Sequence, residues 1–336
     1  MKKFIYMFGT FVLGATLFSG CGSETTPIEE GADKVSVVCT TFPQYDWVMN
    51  LLGDAAEEFE VSLLVKNSTD IHNYQPSTQD MIAMKEADLF LYVGGESDAW
   101  VEDLMKADMA FSDRSVSLVA ALGDEALVEE IVEGMEHDHG HGDGSGHESR
   151  ETDDHDSEPL DEHVWLSLEN AEILCQYISG RLQELAPDEA EVIAANTTKY
   201  VEVLHELGVE YQSMVDESAH NVLVFGDRFP FRYLTEDYDL EYYAAFAGCN
   251  AEVEAGFDTI IGLAGKVEEL KVPCVLVIDG SDKSLAEAIL QAAGNSDKEI
   301  LTLDSMQSVS WEDILQGANY LDIMRANLEV LRKALG

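Results

Sequence analysis

The chain is poor in positive charge. It has 19 Lys and Arg against 66 Asp and Glu among its 336 residues, which gives a formal net charge of −47. A surface of this sign repels phosphate backbones and anionic lipid head groups and concentrates cations. We therefore expect no nucleic-acid partner. The hydrophobic content of 46% is nevertheless sufficient to bury a core, which argues against wholesale disorder.

The chain also lacks the motifs of common exported enzymes. Its five cysteines form no CxxC pair, and neither HExxH nor Gly-x-Ser-x-Gly occurs. The segment GLAGKV (262–267) lacks the upstream glycine and the following Ser or Thr of a phosphate-binding loop. The sequence therefore predicts that the protein is not an enzyme, and an exported metallohydrolase is the weakest alternative.

No hydrophobic run is long enough to predict a membrane span with assurance. The run FIYMFGTFVLGATLF follows Lys2 and Lys3 and has the length of a signal-peptide core. It ends in LFSGC, which resembles the lipobox of bacterial lipoproteins, with Cys21 as the lipid-modified residue. We expect a signal peptide over 1–21, a tether over 22–34 and a lipid anchor at the outer face of the bacterial cytoplasmic membrane. A secretory signal with an incidental cysteine is the alternative.

Short β-branched runs alternate with helical patterns in two parts of the chain, which predicts an α/β fold with largely parallel sheets. The strand-like runs are 35–42, 61–65, 89–94, 221–226, 241–246, 274–279 and 299–304. We expect an N-terminal lobe over 35–186, a single long linking helix over 187–218 and a C-terminal lobe over 219–336. The segment from Trp311 to Leu335 is predicted to be one amphipathic helix.

Six of the nine histidines fall between residues 135 and 165. Five of them belong to an acidic, glycine-rich stretch: His137, His139, His141, His147 and His155. Because the segment 134–160 has almost no apolar residue, we expect a mobile loop. Clustered His and Asp offer weak, exchangeable sites for transition metals, so this loop is predicted to be an accessory metal-binding tract. A solvated spacer with incidental histidines is the alternative.

Two other histidines have ordered surroundings. His163 is followed by Val-Trp-Leu and a possible helix start at Ser167, and His72 lies between the run at 61–65 and a helix opening near Ser77. Loops after strand ends are where α/β folds place their ligands. Both are candidate metal ligands, with a structural histidine as the alternative for each.

From about Val35 to its C-terminus, the chain resembles the cluster A-I (ZnuA-like) family, the substrate-binding lipoproteins of metal-uptake ABC transporters. The segments that carry the resemblance are TTFPQYDWV (40–48), HNYQPS (72–77), ADLFLYVGGESDAWV (87–101), DEHVWLSLENA (161–171) and LDSM (303–306). The resemblance implies two lobes with one metal ion in the cleft between them. It implies His72 and His163 as ligands from the N-terminal lobe and Asp304 from the C-terminal lobe.

The fourth ligand is where the sequence departs from the family. The family pattern H-x-x-F-x-Y falls on FGDRFPFRYL, where one register puts Arg228 at the ligand position and the other puts Gly226 there. Neither residue offers a donor to a cation. Asp227, between the two registers, is the candidate ligand, with Glu252 and Glu254 as alternatives.

The metal and the partners also follow from the resemblance. Two imidazoles with two carboxylates suit Mn²⁺ or Fe²⁺, whereas a His-rich loop is typical of the zinc branch of the family. We favour Zn²⁺, with Mn²⁺ or Fe²⁺ as alternatives. The resemblance implies delivery to an ABC permease and its ATPase, and we expect a monomer. A metal-buffering or adhesive surface lipoprotein is a further alternative.

Overall fold

The computed structural model describes residues 34–66, 71–132, 135, 159–248 and 255–336. The predictions for the signal peptide, Cys21, the five loop histidines, Glu252 and Glu254 lie outside these residues. Among the helices of the described residues, none combines the length and the apolar character needed to cross a membrane.

The N-terminal lobe contains a four-stranded parallel sheet with the strand order β2-β1-β3-β4. Its strands are β1 (Val35–Cys39), β2 (Phe59–Leu63), β3 (Leu89–Tyr92) and β4 (Ser115–Ser117). Its helices are α1 (Phe42–Leu52), α2 (Thr78–Glu86), α3 (Ala99–Ala107), α4 (Met109–Arg114), α5 (Leu118–Leu122) and α6 (Leu168–Leu185). Alternate residues of β1 enter different hydrophobic clusters, Val37 on one face and Val38 on the other, because both faces of the sheet are covered.

One long helix, α7 (Ala190–Glu217), joins the two lobes and follows a 3₁₀ turn at Pro187–Glu189. Its buried side chains recur at helical spacing: Ile193, Thr197, Tyr200, Leu204, Leu207, Tyr211 and Met214. The predicted linking helix is therefore confirmed to within a few residues at each end.

The C-terminal lobe contains a second four-stranded parallel sheet, with the order β6-β5-β7-β8. Its strands are β5 (Val222–Phe229), β6 (Glu241–Ala247), β7 (Cys274–Ile278) and β8 (Glu299–Leu303). Its helices are α8 (Arg232–Asp237), α9 (Phe257–Leu270), α10 (Ser284–Ala292), α11 (Trp311–Leu315) and α12 (Tyr320–Leu335). The predicted two-lobe α/β architecture is confirmed.

Several predicted element boundaries differ from the structure by two or more residues, and two of these differences have an identifiable local cause. The first strand ends at Cys39 because the Gln44 side chain accepts the backbone N–H groups of residues 40 and 41, at 2.9 and 3.1 Å, where α1 begins. The predicted single C-terminal helix is two helices. Gly317 adopts a φ of +104°, and the Asn319 side chain then caps α12, so the helical pattern is interrupted between them.

The two lobes share one hydrophobic core, and Trp165 is fixed at their junction. The indole N–H of Trp165 donates to the Ser305 carbonyl oxygen at 2.9 Å, and the Trp165 carbonyl oxygen accepts the Tyr320 hydroxyl at 2.7 Å. Trp165 is 1% exposed. Two hydrogen bonds thus tie this buried residue to the C-terminal lobe and hold His163, two residues before it, close to that lobe.

Candidate metal centre

The structure brings His72 and His163 together, although 91 positions separate them in sequence. Their Nε2 atoms lie 3.4 Å apart. His72 belongs to a 3₁₀ turn (Ile71–Asn73), and His163 directly precedes another one (Val164–Leu166). The side chains are 7% and 0% exposed, so both rings are withdrawn from solvent. The loops that hold the two candidate ligands of the N-terminal lobe therefore meet at one point.

The spacing of the two nitrogens suits a shared metal ion. Two imidazole nitrogens that each lie about 2.0–2.1 Å from a tetrahedral Zn²⁺ are separated from each other by about 3.3 Å. The observed separation of 3.4 Å between the Nε2 atoms is close to this value. The two rings thus need little rearrangement to bind one ion between them.

Asp161 sets the orientation of the His163 ring. One carboxylate oxygen, Oδ1, accepts the His163 backbone N–H at 2.8 Å and lies 3.0 Å from Nδ1 of the same residue. A carboxylate only accepts hydrogen bonds, so Nδ1 carries the proton and Nε2 carries the lone pair. This carboxylate–imidazole arrangement is the one that orients metal-ligating histidines in proteins.

Two buried acidic residues lie beside the imidazole pair, Asp161 next to His163 and Glu162 next to His72, and a third, Asp98, lies near Glu162. Asp98, Asp161 and Glu162 are 2%, 1% and 1% exposed. Burial raises the pKa of Asp98 to about 6, although its Oδ2 atom accepts the backbone N–H groups of Val93 and Gly94 at 2.8 and 3.0 Å. Buried carboxylates beside two imidazole rings create a negative local field, which a bound cation neutralises.

Asp304 lies at the carboxyl end of β8. Its backbone N–H donates to Asn327 Oδ1 at 2.8 Å, and its Oδ1 atom accepts the Met306 N–H at 2.7 Å. Burial, together with the charge of nearby Asp279, raises the pKa of Asp304 to about 6. The following residue, Ser305, is the one whose carbonyl oxygen holds Trp165. Asp304 is therefore anchored close to the junction between the lobes.

Asp227 occupies an irregular part of β5. Its Oδ1 atom accepts the N–H of Arg228 at 2.8 Å, and the residue lines a cavity of about 220 Å³ together with Asp279 and Ser308. A Cβ at the neighbouring Gly226 would lie 2.7 Å from the Ala286 Cα, so no ligand side chain fits at position 226.

Within the described part of the chain, no three His, Cys, Asp or Glu side chains converge closely enough to hold a metal ion. The structure thus groups His72 with His163 and leaves Asp304 and Asp227 separate from them.

Several residues of this centre were not singled out from the sequence: Ser97, Asp98, Asp161, Glu162 and Gly248. The acidic pair that precedes His163 was a usable signal for the carboxylates. Gly248 had none. It follows β6, and a Cβ there would lie 2.9 Å from the His163 Cε1 atom and 2.9 Å from the Phe229 carbonyl oxygen. The backbone of the C-terminal lobe thus lies directly against the His163 ring.

Comparison with known proteins agrees with this architecture. The family model described as "Zinc-uptake complex component A periplasmic" matches residues 37–334. The chain belongs to this family. It is 27% identical over 335 residues to the zinc-binding lipoprotein AdcA of Streptococcus pneumoniae, covering 99% of this chain and 61% of that protein. It is 25% identical over 331 residues to the high-affinity zinc uptake system protein ZnuA of Bacillus subtilis, covering 97% of each.

A solved structure shows the same fold. The Zn(II)-bound ZnuA-like domain of Streptococcus pneumoniae AdcA matches with a TM-score of 0.66 and 24% identity, over 90% of this chain and 99% of that domain. The chain spans 56% to 61% of the length of the AdcA relatives that it matches.

Proposed function

We propose that this protein is the extracytoplasmic solute-binding component of an ABC importer and that its substrate is Zn²⁺. The observation that carries the proposal is the buried pair of imidazoles, whose Nε2 atoms lie 3.4 Å apart. Membership of the zinc-uptake family and the zinc-specific names of the AdcA and ZnuA relatives support the choice of metal. The family comprises solute-binding transport proteins, so the role proposed is capture and delivery without a chemical step.

The proposed ligand set begins with His72 and His163. Asp304 is proposed as the third ligand because it is held near the junction of the lobes, and a bound ion would draw it towards the imidazoles. Asp227 is proposed as the fourth, with Glu252 and Glu254 as alternatives. Zn²⁺ outbinds Mn²⁺ on a given set of ligands, whereas a two-carboxylate set also accommodates Mn²⁺ or Fe²⁺.

The setting of this capture is part of the proposal. Lipidation of Cys21 would hold the protein at the outer face of the membrane, as the name of the pneumococcal lipoprotein relative suggests. A permease and its ATPase would accept the ion from a monomeric binding protein. The five loop histidines, His137, His139, His141, His147 and His155, would supply weaker sites that collect dilute metal.

A competitive titration with Zn²⁺ and Mn²⁺ tests the proposal, with the chain intact and with residues 137–155 deleted. We expect one tight zinc equivalent that survives the deletion and several weaker equivalents that are lost with it. If no tight zinc binding remains after the deletion, the binding chemistry belongs to the loop and the proposed centre is wrong.

A further inference from the structure

Glu162 is a buried carboxylate placed behind the His72 ring. Its side chain is 1% exposed, and its Oε2 atom lies 3.7 Å from the Nδ1 atom of His72. This nitrogen is on the side of the ring opposite to Nε2, which faces His163. Glu162 therefore stands behind the candidate metal centre and does not enter it.

Ser97 lies between the Glu162 carboxylate and the His72 ring. The backbone N–H of Ser97 donates to Glu162 Oε1 at 2.8 Å, and the Ser97 Oγ atom is 2.6 Å from His72 Nδ1. Burial raises the pKa of Glu162, and a hydrogen bond from the Ser97 side chain opposes this rise. A hydroxyl that donates its proton to a carboxylate has lone pairs left to accept an N–H from the imidazole.

The backbone is shaped to admit this carboxylate. Gly95 adopts a φ of +90°, and a Cβ at this position would lie 2.5 Å from Glu162 Oε1. A side chain at residue 95 would displace the carboxylate from its position against Ser97. Glu162, Ser97 and Gly95 thus form one unit directed at a single nitrogen of His72.

We propose that Glu162 and Ser97 are positioning residues that hold a proton on Nδ1 of His72, so that the Nε2 lone pair is presented to the metal. The Nδ1 proton stays on His72 and is donated in a hydrogen bond to Ser97 Oγ. The Ser97 hydroxyl in turn donates its own proton to the Glu162 carboxylate. The inference deepens the proposed zinc function and depends on it for its consequence. With Asp161 acting on His163 in the same way, both Nε2 lone pairs then face one point.

The test is the protonation state of His72 Nδ1 in the metal-free protein, measured by long-range ¹H–¹⁵N spectra near pH 8 and assigned by comparison with His72→Gln. The variants are Glu162→Gln and Ser97→Ala, of which the second removes only a hydroxyl. The matched control is Glu169→Gln, which changes an exposed carboxylate in the first turn of α6.

We expect a protonated Nδ1 in the wild type and in the control. In both test variants we expect unprotonated Nδ1 to appear and zinc affinity to fall by about 10- to 100-fold, as for other outer-shell partners of metal ligands. An unprotonated Nδ1 in the wild type overturns the proposal. So does an unchanged nitrogen shift in a folded Ser97→Ala protein. If the wild type binds no zinc, the proposed function fails, but the nitrogen shifts still decide the role of Glu162 and Ser97.

Discussion

His72 Nε2 and His163 Nε2 face each other at 3.4 Å across the carboxyl edge of the N-terminal sheet. The Asp161 carboxylate keeps the His163 proton on Nδ1, so His163 directs an electron pair at its neighbour. A lone pair on the facing Nε2 atom of His72 would repel this electron pair, and a cation bound between the two nitrogens removes the repulsion. The relationship between these two residues is therefore the basis of the proposed metal capture.

Replacement of one imidazole tests this relationship directly. We expect His72→Gln to lower zinc affinity by more than the roughly 10- to 100-fold that loss of an outer-shell partner costs, because a direct ligand is removed. The control is His205→Gln, whose side chain is 69% exposed and pairs with Glu172. Competition with a chelating dye measures both. Equal affinities for the two variants would show that His72 is not a ligand.

The position of Gly248 against the His163 ring predicts that a substitution in the C-terminal lobe weakens metal binding. An added Cβ would lie 2.9 Å from both the His163 ring and the Phe229 carbonyl oxygen, so Gly248→Ala requires a shift at both contacts. We expect weaker zinc binding and a lower melting temperature. Gly262→Ala is the matched control, because a Cβ there meets nothing within 4 Å. Since Gly262 lies within α9, this control should gain up to about 1 kcal/mol of stability. If both variants bind zinc with the affinity of the wild type, the predicted contact between Gly248 and the metal site is wrong.

Acid should weaken zinc binding. A metal ion competes with protons for imidazole, which titrates between about pH 5 and 8. Burial raises the pKa of Asp304 to about 6, so protonation of this carboxyl acts in the same direction. We expect the zinc dissociation constant, measured by competition, to rise steadily from about pH 7.5 to 5.5. A dissociation constant that stays constant over this range is incompatible with a two-histidine site.

The buried carboxyl of Asp237 is expected to make the free energy of unfolding depend on pH, independently of metal binding. Burial raises its pKa from 3.8 to about 7, with the Ser167 hydroxyl opposing this and Glu169 adding to it. Between about pH 4 and 7, the folded state keeps a proton that the unfolded state has lost, so the free energy of unfolding falls as pH rises. Asp237→Asn should reduce this fall, as measured by urea denaturation at several pH values.

The control for this titration is Asp239→Asn. Asp239 is exposed and has a φ of +50°, a conformation that Asn tolerates. Its pH profile should match that of the wild type. If Asp237→Asn gives this same profile, Asp237 does not retain its proton in the folded state.

Much of the fold could be predicted because its signals are local. Most strands of the two sheets are short runs of β-branched, aromatic or leucine side chains, and α7 shows a continuous helical spacing of buried residues, of which Leu204 and Tyr211 are examples. The break between α11 and α12 was missed because the apolar spacing continues across it, and only Gly317 and Asn319 mark the interruption. The strand β4 (Ser115–Ser117) has three residues and is too short to show a period.

The candidate site could be predicted only in part. His72 and His163 were found because each lies in a segment that resembles a known motif. Their separation of 3.4 Å depends on how two distant loops fold against each other, which no local pattern contains. Glu162 was not singled out from the sequence, and its position next to His163 was the only signal for it. Its burial depends on the left-handed conformation of Gly95, a contact between residues 67 positions apart that only the folded structure shows.

X-ray absorption at the zinc edge tests the proposed centre most directly. The sample is the protein without residues 137–155, loaded with one equivalent of Zn²⁺, so that the loop histidines contribute no signal. We predict two imidazole nitrogens at about 2.0–2.1 Å, with oxygen ligands completing the shell. A zinc shell with one imidazole or none would contradict the assignment of His72 and His163 as the pair that binds the ion.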